Sequence, residues 1–244
     1  MSATPALADT SGSTPFFSGA LFSRLTGIAV ALTLATAGIA AAGRWYGERL
    51  ALAGHSTSTE THDIFIGQDH LRLPGNVIRF AEQRATGVAE RVDLYFTWPG
   101  MQGYTDDGRE AFNDVSRPDR LLFVQISQST MSRDMSGRIE PIYRHLFADA
   151  GAPTASGLRR HAMKETSGYG RETFFTADRP GQAPYAVRCL LPQAPALSTS
   201  ADCQRDVHAG NDLVVLYRFS SQLLPQWKAM DDAILAYVEA RIVR

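Results

Sequence analysis

Hydrophobic and polar positions change their spacing twice along this chain. From Leu25 to Gly43 no residue is charged, with Arg24 before the run and Arg44 after it. At a rise of about 1.5 Å per residue, a helix over this run measures about 28 Å, close to the roughly 30 Å core of a bilayer. Trp45 and Tyr46 follow, and such rings suit the headgroup level. The run is apolar on every face, which argues against a buried core helix. A cleaved signal peptide is the closer competitor, because Ala40-x-Ala42 offers a small-residue cleavage site. Such peptides, however, carry an apolar run of only about 7–15 residues behind a basic start. The tail before this run holds a single Arg. The pattern therefore predicts a permanent membrane span.

Beyond the span, alternation with a period of two takes over. His62 to Pro74 reads as a hairpin turning at Gly67-Gln68, with Ile64, Ile66, Leu71 and Leu73 on one face. Asp63, Phe65, His70 and Arg72 fall on the other. A short helix is expected over Asn76–Arg84. Arg91–Trp98 alternates as a strand with Val92, Leu94, Phe96 and Trp98 inward. Leu121–Ile126 is almost wholly apolar and suits an interior strand. Ile139, Ile142, Tyr143, Leu146 and Phe147 match one face of a helix from Ile139 to Asp149, capped by Gly151. Strands are expected near 157–164, 171–177 and 184–191, then over Asp212–Phe219. The chain closes on a helix with Pro225 in its first turn, striped by Trp227, Met230, Ile234, Leu235, Val238 and Ile242.

These elements predict an α+β fold, one N-terminal transmembrane helix followed by a mostly antiparallel sheet packed by helices. The boundaries are a disordered tail over 1–23, a transmembrane helix over 24–46, a linker over 47–61, and one soluble domain over 62–244. The tail is rich in Ser, Thr, Pro, Ala and Gly, which cannot bury enough apolar surface to offset ordering.

Composition adds little except through cysteine and charge. The net charge is −1 over 244 residues, which gives no footprint for nucleic acid. The only cysteines are Cys189 and Cys203, each near the inner end of a predicted strand. A disulfide between them would place the strand of Cys189 beside Asp212–Phe219, antiparallel, and implies an oxidising compartment. Two unrelated buried thiols are the alternative. Basic residues flank the span at Arg24 on one side and at Arg44 and Arg49 on the other, which leans toward a cytoplasmic domain. The cysteine pair outweighs that count, since large domains cross membranes largely regardless of charge.

Candidate chemistry is sparse. Gly27, Ala31, Ala35, Gly38 and Ala42 line one face of the span and would let a second membrane helix approach closely. An Ala-rich composition alone could also supply them. None of the six histidines stands in H-x3-H or H-E-x-x-H, so no metal is expected. Asp106-Asp107-Gly108-x-Glu110 and Asp114 lack the spacing of a Ca²⁺ loop and read as a solvated loop. No G-x-S-x-G, Gly-rich phosphate loop or activated Cys occurs. No catalytic residue and no cofactor are assigned. Arg218 interrupts an apolar strand on the Val214/Leu216 side, where a buried guanidinium would need an ion pair or a ligand.

The layout resembles single-pass, membrane-anchored envelope proteins of proteobacteria that carry no assigned activity. The features that carry the resemblance are Leu25–Gly43, Gly67 through Pro74, the cysteine pair, and Tyr217-Arg218-Phe219 leading to Leu224-Pro225-x-Trp227. In outline the domain also resembles the fold of photosystem-II extrinsic proteins and their bacterial relatives. The expectation is a bacterial inner-membrane protein with a periplasmic interaction domain and no catalysis. Its expected partners are the lipid bilayer and a protein, or a second copy reached through the membrane helix. The alternatives are an envelope hydrolase whose site assembles only on folding, and an immunity-type protein that blocks an envelope toxin.

Overall fold

The computed structural model describes residues 19–52 and 54–244. The expected disorder of residues 1–18, and the rings of Trp45 and Tyr46, lie outside them. The chain forms two compact units that divide between Ala53 and Gly54.

The first unit contains α1 (Gly19–Ala51). Within it Phe22–Arg44 is long and apolar enough to cross a membrane, and none of it is buried. Three threonines inside the apolar stretch satisfy their own hydroxyls. Thr26, Thr33 and Thr36 donate to the carbonyls of Phe22, Ala29 and Leu32 at 2.9, 2.8 and 2.8 Å. This back-bonding leaves none of the three hydroxyls unpaired on an otherwise apolar surface. The helix starts before the expected boundary and runs into the expected linker, because Glu48 to Ala51 are all good helix formers.

The second unit is mixed α and β. It contains β1 (Thr61–Ile66), β2 (Asp69–Pro74), β3 (Gly87–Val88), β4 (Arg91–Thr97), α2 (Arg109–Asn113) and β5 (Leu121–Gln128). Then follow α3 (Arg144–Leu146), β6 (Ala152–Pro153), β7 (Arg159–Ala162), β8 (Thr173–Ala177) and β9 (Tyr185–Cys189). β10 (Cys203–Ala209), β11 (Leu213–Phe219) and α4 (Trp227–Glu239) complete it. The large sheet has the order β4-β5-β11-β10-β9-β8-β7-β6, with every neighbouring pair antiparallel. A small sheet, β2-β1-β3, joins the hairpin to a parallel partner.

The main core lies on the inner face of the large sheet. The hairpin residues Ile64, Ile66, Leu71 and Leu73 pack there with Val92, Leu94 and Phe96 of β4. Trp227, Met230, Ile234 and Val238 of α4 join the same core. The hairpin is locked to the sheet by two aspartates at neighbouring turns. Asp69 accepts from the backbone N–H groups of Asn211 and Asp212, each at 3.0 Å. Asp212 in turn accepts from the backbone N–H of Gln68 at 3.1 Å. Glycine is required at both turns. Gly67 and Gly210 have φ of +58° and +60°, and a Cβ on either would come within 2.6 Å of the opposing carboxylate.

One position in the helix stripe is not apolar. Asp231 is 0% exposed, between Met230 and Ile234. Its carboxylate accepts from Arg205 Nε at 2.9 Å, from Arg179 Nη1 at 2.6 Å, and from the Tyr217 hydroxyl. Arg205, 3% exposed, also donates to Ser136 Oγ at 2.9 Å and to the Ala186 carbonyl at 2.8 Å. Burial by itself works against charge on Arg205, but Tyr217 and Asp231 more than offset it and hold the guanidinium protonated. Burial raises the Tyr217 phenol well above its usual range.

Four sequence expectations change. Cys203 opens β10, a strand the sequence reading did not resolve, and β10 lies between β9 and β11. The strand of Cys189 is therefore next to β10 rather than next to Asp212–Phe219. The reason is that Cys203–Ala209 alternates Cys, Arg, Val, Ala inward, and the buried arginine hides the apolar pattern. The helix expected over Ile139–Asp149 shrinks to one wide turn, Ile139–Tyr143, and α3. Tyr143 N–H reaches back to the Arg138 carbonyl at 3.1 Å, and this longer-range bond widens the turn. Ile142 consequently points outward at 43% exposure. Gly151 is not its cap, since the chain already leaves the helix at Phe147, with ψ 135°. Asn76–Arg84 forms two short 3-10 turns, Gly75–Val77 and Ala81–Gln83, separated by extended Ile78.

Asp231→Asn is expected to destabilise the domain by about 3–5 kcal/mol, because it leaves the buried Arg205 guanidinium without a counter-charge and Arg179 with Asp232 alone. Urea unfolding followed by tryptophan fluorescence measures the loss. The double change Arg205→Met with Asp231→Leu is expected to recover most of it, since no unpaired charge remains at the helix.

Candidate functional site

The outer face of the large sheet is covered only at its two ends. At the β9-β8-β7 end Met135, Ile139 and Tyr143 pack on Phe174, Ala186 and Met163 as a second, smaller core. At the β4 end His55 stacks on Tyr104 at 4.4 Å and on Tyr95 at 5.4 Å between ring centres. Between these caps the outward residues of β5, β11 and β10 face solvent. Phe123, Gln125, Val214 and Leu216 are half-buried, and Arg218 and His208 are exposed.

The charges on this face are largely paired. Arg138 meets Asp206, and Arg188 meets Glu172 at 3.4 Å. Asp93 accepts from Gln83 Nε2 at 2.9 Å and lies 3.3 Å from Arg91. Arg79 and Arg218 are different, because no ion pair to either occurs among the described residues. Arg79 lies over the Phe123 ring, with Cζ 4.6 Å from its centre. Arg218 is the cross-strand partner of Phe123 on β11. A pocket of about 230 Å³ opens between them, floored by Phe123 and Leu216 and edged by Asp93 and Gln125. The sequence singled out Arg218 for its place in an apolar strand. The ion pair expected for it does not form, because the even-numbered face of β11 is the open one and solvent already satisfies the charge.

A second concavity, about 620 Å³, lies between the chain around Phe147–Arg159 and the β7-β8 edge. His161 is buried there against Phe147, with ring centres 4.1 Å apart. Its Nε2 is 3.0 Å from Thr176 Oγ1, and its Nδ1, which has no hydrogen-bond partner, is 4.0 Å from Asp149 Oδ1. Gly151 approaches so closely that a Cβ would fall 2.4 Å from the imidazole. Burial lowers the His161 pKa below its usual 6.5, only partly opposed by Asp149. Burial does the same to His55. Sequence spacing could not find this group, because Asp149, His161 and Thr176 meet only through strand pairing.

The other expected positions are accounted for as follows. Cys189 and Cys203 are joined by a disulfide, with Cα atoms 4.0 Å apart as direct cross-strand partners. The neighbouring hydrogen bond from Leu190 N–H to the Asp202 carbonyl makes theirs the narrow kind of antiparallel pair, where Cβ atoms come closest. Gly27, Ala31, Ala35, Gly38 and Ala42 are all exposed along α1, and nothing lies within 4 Å of a Cβ built on Gly27 or Gly38. Among the described residues no three His, Cys, Asp or Glu groups converge on a metal position. Asp106–Gly108 forms a turn into α2, and Asp114 accepts from the Ser116 hydroxyl and N–H.

The fold and site thus define a chain with one apolar helix and one disulfide-bonded α+β domain that leaves half a sheet face open. No protein-family model and no curated protein matches it. Among solved structures, the crystal structure of the Neisseria meningitidis iron-regulated outer membrane lipoprotein FrpD is similar at 12% identity and a TM-score of 0.45. The similarity covers 76% of this chain and 96% of that one. Agreement at that level carries no functional inference.

The lowered His161 and His55 pKa values make the domain sensitive to acid. Both groups are neutral when folded and take up protons more readily when unfolded, so stability is full above about pH 6.5 and falls as pH drops toward the folded values. The urea midpoint is expected to fall between pH 7.5 and pH 5, and His161→Gln is expected to flatten that dependence. An unchanged slope in the variant would assign the loss to other groups.

Proposed function

We propose that this chain is a single-pass, membrane-anchored binding module whose domain stands in the periplasm of a bacterial cell and does no chemistry of its own. The observation that carries the reading is the open middle of the outer sheet face. A solvated face of an antiparallel sheet ordinarily alternates polar residues outward. Here Phe123, Val214 and Leu216 form an apolar centre, half-exposed, inside a rim of arginines, glutamines and acids. Apolar centre, polar rim and enriched Arg and aromatic side chains are the composition of protein interfaces. The anchor is supported by α1, whose apolar stretch has no buried residue. The compartment is supported by the disulfide, since such bonds persist where the surroundings oxidise. Pairing of two copies through the small-residue face of α1 fits the same picture. An immunity-type role would be this same binding with an envelope toxin as its partner.

The hydrolase reading rests on the order Asp149, His161, Thr176 in the second groove, which is that of a carboxylate–imidazole–hydroxyl relay. It is the weaker reading for a geometric reason. Thr176 sits in β8, which pairs on both sides, with Arg159 and with Ala186. Backbone N–H groups of such a strand serve the ladder and are not free to hold a developing oxyanion.

Three measurements test the proposal. A reporter active only in the periplasm, fused after Arg244, is expected to be active, and a silent reporter reverses the orientation. Denatured, unreduced protein is expected to show no free thiol, whereas two free thiols remove the argument for an oxidising compartment. A photo-crosslinker at Val214 in intact membranes is expected to give one saturable adduct that Leu216→Glu abolishes. The same crosslinker at exposed Lys228 of α4 is expected to give none.

A further inference from the structure

We infer that the pocket between Arg79 and Arg218 is a carboxylate clamp, and that the partner of the open sheet face presents an acidic side chain from an extended peptide segment to it. The inference rests on the binding reading above and names the chemistry of the partner. Three observations lead to it. First, the acidic groups around the open face are already matched within the domain. Asp206 has Arg138, Glu172 has Arg188, and Asp93 has Gln83 and Arg91. Arg79 and Arg218 remain, so the uncompensated charge at the pocket is positive and two guanidiniums strong. Second, the Arg79 guanidinium is held over an aromatic ring rather than left free in solvent. It lies 4.6 Å from the Phe123 centre and 4.9 Å from that of Phe80. Stacking of this kind orients the plane of the guanidinium while leaving its N–H edge available, which is the arrangement that takes a carboxylate in bidentate fashion. Arg218 stands directly across the strand pair from the same Phe123, and both arginines line the pocket that the ring floors.

Third, the pocket's size and lining choose among anionic ligands. At about 230 Å³ it is below the range of about 300–1,000 Å³ usual for whole small-molecule ligands and suits one amino-acid side chain. Its floor is apolar, from Phe123 and Leu216, and receives methylene groups. Gln125 adds an amide at the edge. Asp93 also reaches the pocket, with its Oδ2 held by Gln83 and Arg91, and its remaining charge narrows the site toward a single negative charge. A doubly charged phosphate is disfavoured by that same carboxylate. The neighbouring stretch of half-exposed Val214, Gln125 and Ser127 continues along the strands and offers room for the residues on either side of the acid.

Calorimetry on the full chain in neutral phosphatidylcholine nanodiscs tests the clamp. The probe is a blocked heptapeptide of alanine and leucine with one central glutamate, compared with the same peptide carrying glutamine. The glutamate peptide is expected to bind at least tenfold more tightly than the glutamine peptide, with affinity falling as salt rises. Arg218→Gln and Arg79→Gln are each expected to weaken it at least tenfold, and Arg218→Lys to restore only part, because an ammonium cannot offer the fork. Both residues are exposed, so the variants are expected to keep the wild-type unfolding midpoint. Arg160→Gln on β7 serves as the charge control and is expected to bind as wild type. Equal binding of the two peptides overturns the clamp, as does an Arg160→Gln loss equal to that of Arg218→Gln. Vesicles containing phosphatidylglycerol that displace the peptide from wild type, and bind Arg218→Gln weakly, would make the occupant a lipid headgroup and overturn the peptide assignment. If the Val214 crosslink persists while the glutamate peptide fails, only the clamp falls. Loss of both removes the binding reading itself.

Discussion

The domain is organised around a carboxylate that no apolar packing rule would place where it is. Asp231 sits in the middle of the buried stripe of α4 and draws Arg205 from β10, Arg179 from the loop after β8 and Tyr217 from β11 onto one point. An apolar stripe on a helix gives attraction to a sheet but tolerates sliding or rotation, because dispersion and burial are not directional. Three hydrogen bonds to one buried carboxylate tolerate neither. The helix therefore has one register on the sheet, and the strands that supply the donors are fixed in their order. The ionic group is retained at a desolvation cost, and specificity of packing is what it returns.

Two further devices make the same scaffold stiff. The Cys189–Cys203 disulfide bridges β9 and β10 at the point where the two strands begin to pair. The reciprocal aspartates Asp69 and Asp212 clasp the β1-β2 turn to the β10-β11 turn. Between them these contacts commit the inner face, the helix and the hairpin entirely to structure. What is left for recognition is the outer face, and a rigid sheet presents its side chains there without further ordering. Preorganisation of that kind lowers the entropic cost of binding.

The two concavities of the outer surface differ in what their polar groups have left to give. In the His161 groove the imidazole Nε2 and the threonine hydroxyl are occupied by one another and the β8 backbone by the ladder, which leaves only the buried Nδ1 without a partner. Around Phe123 the backbone is equally occupied, but two guanidiniums keep their donors. Unspent hydrogen-bonding capacity beside a half-exposed apolar floor is what distinguishes a recognition surface from a merely uneven one.

How much was legible beforehand follows from the range of the interactions involved. The apolar run from Leu25 to Gly43, the hairpin with its Ile64/Ile66/Leu71/Leu73 face, the strands near 91, 121, 159, 173, 185 and 213, and the closing helix were readable. Each rests on local periodicity and on Gly or Pro at a turn. The α+β class with a mostly antiparallel sheet followed from their order. Reading failed where a local rule was overridden. A wide turn pointed Ile142 outward in a helix whose apolar spacing was right, and the buried Arg205 concealed β10 by putting a cation at an inward position. The site was illegible for the same reason in stronger form. Phe123 and Arg218 are 95 positions apart in the chain and Asp149 and Thr176 are 27 apart, by their numbers alone. Arg218 could be marked as unusual in an apolar strand, but whether it was buried and paired or open and unpaired depended on which face of the sheet the helix covered. The sequence by itself determined most of the elements and the apolar character of the first helix, which is long enough to cross a membrane. Only the tertiary structure decided which face was core and which was left to solvent, because that choice is made by long-range pairing and by one buried carboxylate, not by any pattern within a strand.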